Sequence, residues 1–143
     1  MEQIINISEL INQFLIAILI GSKIFFSAIV APNIFVSLDE KNSRLFVRSI
    51  FPKLYFWCLI ISLMITIIFA FSNIVLSFFF FIISSGYFYS RQFLMHKINK
   101  ISDKTHKTEM DNKSFKILHS FSVLIFVVQL ILISTIYFIS ETQ

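Results

Sequence analysis

A lysine in the middle of an apolar run is the first residue of this sequence that invites chemistry. Lys23 follows Ile18-Leu19-Ile20-Gly21-Ser22 and precedes Ile24-Phe25-Phe26. An amine there could carry a proton, hold an anion or donate hydrogen bonds. Its insertion at mid-bilayer costs about 2.5–3.5 kcal/mol. The eleven Ile, Leu, Phe and Val residues between Phe14 and Asn33 outweigh that cost, at roughly −0.3 to −0.6 kcal/mol each. All eight acidic residues lie outside the apolar runs, so no carboxylate is expected as partner. Four resolutions follow. The amine is uncharged; it bonds to Ser27, to Gln129 or to the Ala28 carbonyl loosened by Pro32; it binds an anionic ligand; or the helix is offset and Lys23 snorkels to one surface.

Other polar or small residues recur at the centres of the remaining runs: Ser62 and Thr66, then Ser84, Ser85 and Gly86, then Gln129. Side chains of this kind join helices in lipid, at about 0.6 kcal/mol per hydrogen bond. Lys23, Ser62, Ser85 and Gln129 form a candidate ligand-binding layer, with His119 at the start of the last run. His96 and His106 fall in polar stretches. Catalytic constellations are missing: no carboxylate pair lies in the runs for acid–base work, no glycine-rich loop could cradle phosphate, and Cys58 is the only cysteine. No metal site and no cofactor is expected. A haem held by His119, as in a small membrane oxidoreductase, finds no support in the spacing of the histidines.

The elements that must carry these residues are membrane helices. Among 143 residues, 57% are hydrophobic and only 14% charged, against a usual quarter charged in soluble domains. That composition excludes a soluble globular domain, a disordered chain and a nucleic-acid-binding protein. Four runs are long enough to cross about 30 Å of hydrocarbon: residues 10–38, 54–71, 74–94 and 118–139. The predicted fold is all-α, a single up-and-down transmembrane four-helix bundle over residues 1–143. Pro32 predicts a kink in the long first run. Ser72 and Asn73 alone join the second and third runs, so these form a tight hairpin. Eleven of twelve basic residues lie at or between the ends of runs one and two or of runs three and four. The positive-inside rule then puts residues 39–53 and 95–117 in the cytoplasm and both termini outside. Ser8-Glu9 reads as a helix N-cap with an acid in the first turn. The N-terminus lacks the basic lead of a cleaved signal peptide.

Glu40, Arg44 and Arg48 share one helical face, opposite apolar residues of 39–51. The pattern predicts a short amphipathic interfacial helix, with Pro52 in the first turn of span two. After span three the helix should continue for two turns, followed by a polar, mobile loop over residues 102–114. Arg44, Arg48, Arg91, Lys97 and Lys100 are the expected contacts to anionic lipid, at about 1 kcal/mol per basic residue near the surface. Ala17, Gly21 and Ala28 form a small-residue stripe suited to tight helix contact inside the bundle or in a homo-oligomer. Membrane lipid is the expected partner.

Several segments, taken together, resemble a known family. They are Gly21-Ser22-Lys23-Ile24-Phe25-Phe26 with Val30-Ala31-Pro32, Phe35 and Leu38-Asp39, then Arg48-Ser49-Ile50-Phe51-Pro52-Lys53-Leu54-Tyr55. Ile98-Asn99-Lys100 with Asp103 follows, then Phe115 with Leu118-His119 and Ser122. In this order they resemble the domain of unknown function 4149, or transmembrane-protein-205-like, family. The resemblance implies a four-helix membrane protein without an established molecular activity, and an apolar residue where this chain has Lys23. The expected role is non-enzymatic: binding, scaffolding or permeation in a bacterial inner membrane. The rival readings are a haem- or porphyrin-linked oxidoreductase and a small anion-handling transporter subunit.

Overall fold

A computed structural model describes residues 2–104, 106 and 108–141, with side chains from Ile7 to Ile139. These residues form four rods, and no strand occurs among them. The first rod is α1 (Glu2–Phe25), a wide π-type turn (Phe26–Val30) and α2 (Ala31–Ser37). The second is α3 (Glu40–Ser72) alone. The third is α4 (Ile74–Tyr89), a second wide turn (Ser90–Leu94) and α5 (Met95–Ser102). The fourth is α6 (Glu109–Glu141). Each rod contains a stretch long and apolar enough to cross a membrane: Ile7–Ser37, Glu40–Ser72, Ile74–Ser102 and Glu109–Ile139. The chain is a multi-pass membrane protein with the predicted all-α, four-helix architecture.

Local sequence explains most of the ends. Asn73 alone separates α3 from α4. Its N–H closes α3 on the Phe69 carbonyl at 2.7 Å, and its side chain accepts the Leu76 N–H at 3.1 Å as the N-cap of α4. At Pro32 the rod does not break. The Ala31 N–H reaches back five residues to the Phe26 carbonyl, and this wide turn admits the proline at the start of α2.

Four local expectations are corrected. Residues 40–51 are no separate interfacial helix but the first turns of α3, so Pro52 lies inside that helix. The lead-in is anchored: the Ser43 hydroxyl donates to the Ile34 carbonyl at 3.2 Å and the Leu38 carbonyl at 3.0 Å. These bonds hold the helix on the near side of the one backbone donor that Pro52 lacks. Ser8 is not an N-cap, because α1 already begins at Glu2. The polar stretch 102–114 is mostly helix, since α5 runs to Ser102 and α6 starts at Glu109. The start of α6 is a capping box: the Thr108 hydroxyl accepts the Asp111 N–H at 3.2 Å, while the Asp111 carboxylate accepts the Thr108 N–H at 3.2 Å. The loop reading at Thr105 and Lys107 lies outside the described residues.

Packing sets the arrangement of rods. The most extensive contact is α3 on α4; α1 packs on α3 and α6, and α5 packs on α6. Around the bundle the order is therefore α4, α3, α1, α6. Hence α1 and α4 lie on one diagonal, α3 and α6 on the other. α2 packs on α3 and not closely on α6. The centre holds Ile16, Leu19, Ile65, Phe80 and Ile133, all fully buried. Most other large apolar side chains, such as Phe14, Ile67, Phe78 and Leu124, are exposed on the single chain, as expected where lipid rather than water surrounds the helices.

Candidate functional site

Both diagonals of the bundle are crossed by hydrogen bonds. Lys23 of α1 is fully buried. Its Nζ donates to the Tyr87 hydroxyl of α4 at 3.2 Å and to the Phe126 carbonyl of α6 at 2.9 Å. The same nitrogen lies 4.2 Å from the Phe126 ring centroid and 5.1 Å from that of Tyr87, within reach of a cation–π contact. On the other diagonal, the Tyr55 hydroxyl of α3 and the Ser122 hydroxyl of α6 are 3.2 Å apart. The rings of Tyr55 and Tyr87 are 6.5 Å apart, so the two crossings share one aromatic centre.

Lys23 therefore does not snorkel. Nor are its partners Ser27, Gln129 or the Ala28 carbonyl; Ser27 instead donates to the Lys23 carbonyl at 2.9 Å. Ser62 belongs to the layer, but through Ser84, whose hydroxyl donates to it at 2.9 Å. Ser85 faces outward and donates to the Phe81 carbonyl of its own helix. Gln129 is buried, and its Nε2 donates to the Ile83 carbonyl at 3.2 Å. Gly86 makes room for it: a Cβ at that position would sit 2.5 Å from Gln129 Nε2. Gln129 Oε1 has no hydrogen-bond partner among the described residues. Lys23, Ser62 and Gln129 thus turn into the bundle while Ser85 does not, and beside Lys23 stand two tyrosines that sequence reasoning did not single out. A tyrosine deep in an apolar run, rather than in the interfacial belt where tyrosines usually sit, is the signal that could have found Tyr87. Tyr55 reads as a belt residue, and nothing in its sequence position sets it apart.

A cavity of about 1170 Å³ opens beside this centre. It lies towards the end of the bundle that carries the Leu38-Asp39 link and the 103–108 connection, here the loop end. Its deep part is apolar and aromatic, with Phe26, Tyr55, Ser122, Phe126 and Leu130. Phe35 of α2 and Val123 and Val127 of α6 also line it and are exposed on the single chain. Because α2 and α6 do not pack closely, the cavity is open sideways between them. At its outer end stand Asp39, Glu40, Lys41, Arg44, Arg48 and Asp103.

The remaining predicted residues divide between this cavity and the surface. His119 lines the cavity, exposed, its ring stacked parallel to Phe115 with centroids 6.1 Å apart. Arg44 is ion-paired with Glu40, and Arg48 with Asp103, so both guanidiniums already have carboxylate partners. Arg91 lies over the Phe56 ring, 4.8 Å from its centroid. Lys97 and Lys100 are exposed. The stripe Ala17, Gly21, Ala28 faces outward, with nothing within 4 Å of a Cβ added at Gly21, so it makes no contact inside the bundle. Among the described residues no three His, Cys, Asp or Glu side chains gather to hold a metal ion.

One family model, Domain of unknown function (DUF4149), matches residues 14–141. No curated protein and no solved structure matches the chain.

Proposed function

The chain belongs to the DUF4149 family, and we propose that it holds an amphipathic, membrane-resident molecule in the loop-end cavity without altering it chemically. The cavity itself carries this reading. Its volume of about 1170 Å³, open on one side, leaves room for part of a lipid-sized molecule. Its deep part is apolar and aromatic, its outer end is charged, and it is open sideways between α2 and α6. Such a space suits a molecule with a polar head and an apolar tail that enters sideways. Ser122 and Tyr55 supply the few polar atoms in the deep part. They already bond to each other, which fits binding better than acid–base chemistry.

Native mass spectrometry of protein extracted gently from its own membrane tests this. The expected result is a defined adduct that is weakened in Val123→Trp, whose larger side chain obstructs the opening between α2 and α6, while the variant's helicity and thermal midpoint are kept. An identical adduct pattern in both proteins overturns the reading. A coloured adduct with a Soret band would favour the oxidoreductase instead.

For orientation, the strong bias of basic residues to the loop end favours that end in the cytoplasm and both termini outside, in the inner membrane of a bacterium. A His106→Cys variant in a Cys58→Ser background should resist an impermeant thiol reagent in intact cells and react after lysis.

A further inference from the structure

We propose that the outer face of the α3–α4 hairpin carries a site for an anionic phospholipid, whose phosphate is held by Arg91 and Lys53. Arg91 belongs to the second wide turn, and its guanidinium carbon lies 4.8 Å from the Phe56 ring centroid on α3. Lys53 precedes Phe56 by three residues, on the same face of α3 and one turn nearer the loop end, and is exposed. Phe56 is exposed as well, whereas its neighbour Tyr55 and Arg91's neighbour Ser90 are buried. The three side chains therefore stand on the outside of the bundle. None of them lines the cavity, so this site is independent of the cavity's binding role.

Neither Arg91 nor Lys53 has an ion pair among the described residues. No acidic residue occurs between Lys41 and Ser102, the stretch that holds the whole hairpin beyond Glu40. Arg44 and Arg48 have carboxylate partners in Glu40 and Asp103; Arg91 has a ring, and its Nε has no hydrogen-bond partner. A cation beside apolar surroundings is costly without a counter-ion. Trp57 and Tyr89 are exposed nearby, residue types that gather at the head-group level of a membrane. The plentiful anion at that level is lipid phosphate. A guanidinium kept over a ring has its terminal N–H groups free as a fork that matches two phosphate oxygens. Lys53 adds a flexible second donor from the loop-end side. A zwitterionic head group would bring its own ammonium beside two unopposed cations, which is a like-charge penalty. An anionic head group avoids it.

The test uses full-length protein reconstituted in nanodiscs of equal phosphatidylethanolamine and phosphatidylglycerol, with bound lipid counted by native mass spectrometry after release. Wild-type protein should retain phosphatidylglycerol over phosphatidylethanolamine by about fivefold, the ratio that ~1 kcal/mol supports. The double variant Lys53→Gln, Arg91→Gln should lose that preference. The double variant Lys113→Gln, Lys116→Gln removes the same charge from two exposed positions of α6 and should keep it. Phe56→Leu changes no charge and should lower the preference by about twofold, as an exposed cation–π contact allows. Lys53→Gln alone should lower it too, and replaces the double variant if Arg91→Gln fails to fold. No preference in wild-type protein, equal losses in the two double variants, or a preference that Phe56→Leu leaves intact, overturns the site. A preference lost in Val123→Trp and kept in Lys53→Gln, Arg91→Gln would put the lipid in the cavity; that overturns the site and leaves the cavity's binding role standing.

Discussion

The Lys23 amine and the Tyr87 hydroxyl are 3.2 Å apart although 64 residues separate them in the chain. They belong to α1 and α4, which face each other across a diagonal and are not close neighbours. A short polar side chain could not make this reach. The four-carbon stem of lysine spans the bundle centre and then finds a third rod at the Phe126 carbonyl. One side chain thereby fixes the mutual depth of three helices. This is a structural use of a buried amine that does not require a ligand.

The first prediction concerns that bond. Lys23→Met and Tyr87→Phe should each lower the midpoint of unfolding in mixed detergent. Combined, they should cost less than their sum, with a coupling of about 0.6–1.7 kcal/mol, the range for hydrogen bonds between membrane helices. Strict additivity would show that the pair does not interact in solution.

A second prediction follows from Gly86. In Gly86→Ala the new methyl meets the Gln129 amide, which must leave the Ile83 carbonyl. A loss of about 1–3 kcal/mol is expected, as for other overpacked contacts. Gln129→Ala in the same protein should recover part of it. Failure of that rescue would place the cost of the alanine elsewhere.

The third prediction is a pH dependence in the polar first turn of α6, ahead of the apolar run 118–139. Hydrogen bonds from the Lys104 amine, the Thr108 N–H and the Thr108 hydroxyl hold the Asp111 carboxyl below its usual value. A carboxylate depressed in the folded state stabilises it above the unfolded pKa, and that contribution is lost as pH falls through the folded one. Amide exchange at residues 109–112 should therefore quicken relative to the helix centre as pH falls below the ordinary carboxylate range. Asp111→Asn should exchange quickly throughout and show no such step.

Much of this arrangement is legible in the sequence. Hydropathy marks the four rods because lipid imposes unbroken apolar length on each helix. The hairpin at Asn73 is legible because two residues permit no other connection. Which face of each helix turns inward is harder to read, since helices surrounded by lipid are apolar on both faces. Ser84 and Ser85 are adjacent and chemically alike, yet only Ser84 points into the bundle. The cavity is illegible for another reason: it depends on α2 packing on α3 and leaving α6, and no local residue pattern encodes a missing contact. Arg48 and Asp103 read as separate surface charges because their pairing depends on where two distant helix ends meet.

A fourth prediction concerns that pair. Asp103→Lys should repel Arg48 and increase the mobility of a spin label at Lys104. Arg48→Asp in the same protein should restore order by reversing the pair. Stability should change by no more than about 1 kcal/mol in either protein, as for exposed ion pairs. Unchanged mobility in Asp103→Lys would mean that the pair does not hold the connection.

The wide turn at Phe26–Val30 can also be viewed as a change of phase. Each residue advances an α-helix by about 100°, and a π-type turn accommodates one residue more than regular winding allows. Everything beyond Val30 is thus rotated by about that angle from the face that α1 presents to α6. Ile34, eleven positions after Lys23, would otherwise share its azimuth; instead it is buried where Ser43 of α3 bonds its carbonyl. The gap between α2 and α6 is the geometric counterpart of that offset. Regular winding over the same eleven steps would turn Ile34 towards the azimuth of Lys23, whereas deletion of one residue within 26–30 would remove the wide turn and leave Ile34 near its present azimuth, because ten regular steps amount to about 1000°. The cavity's width is in this sense written in the winding of one turn.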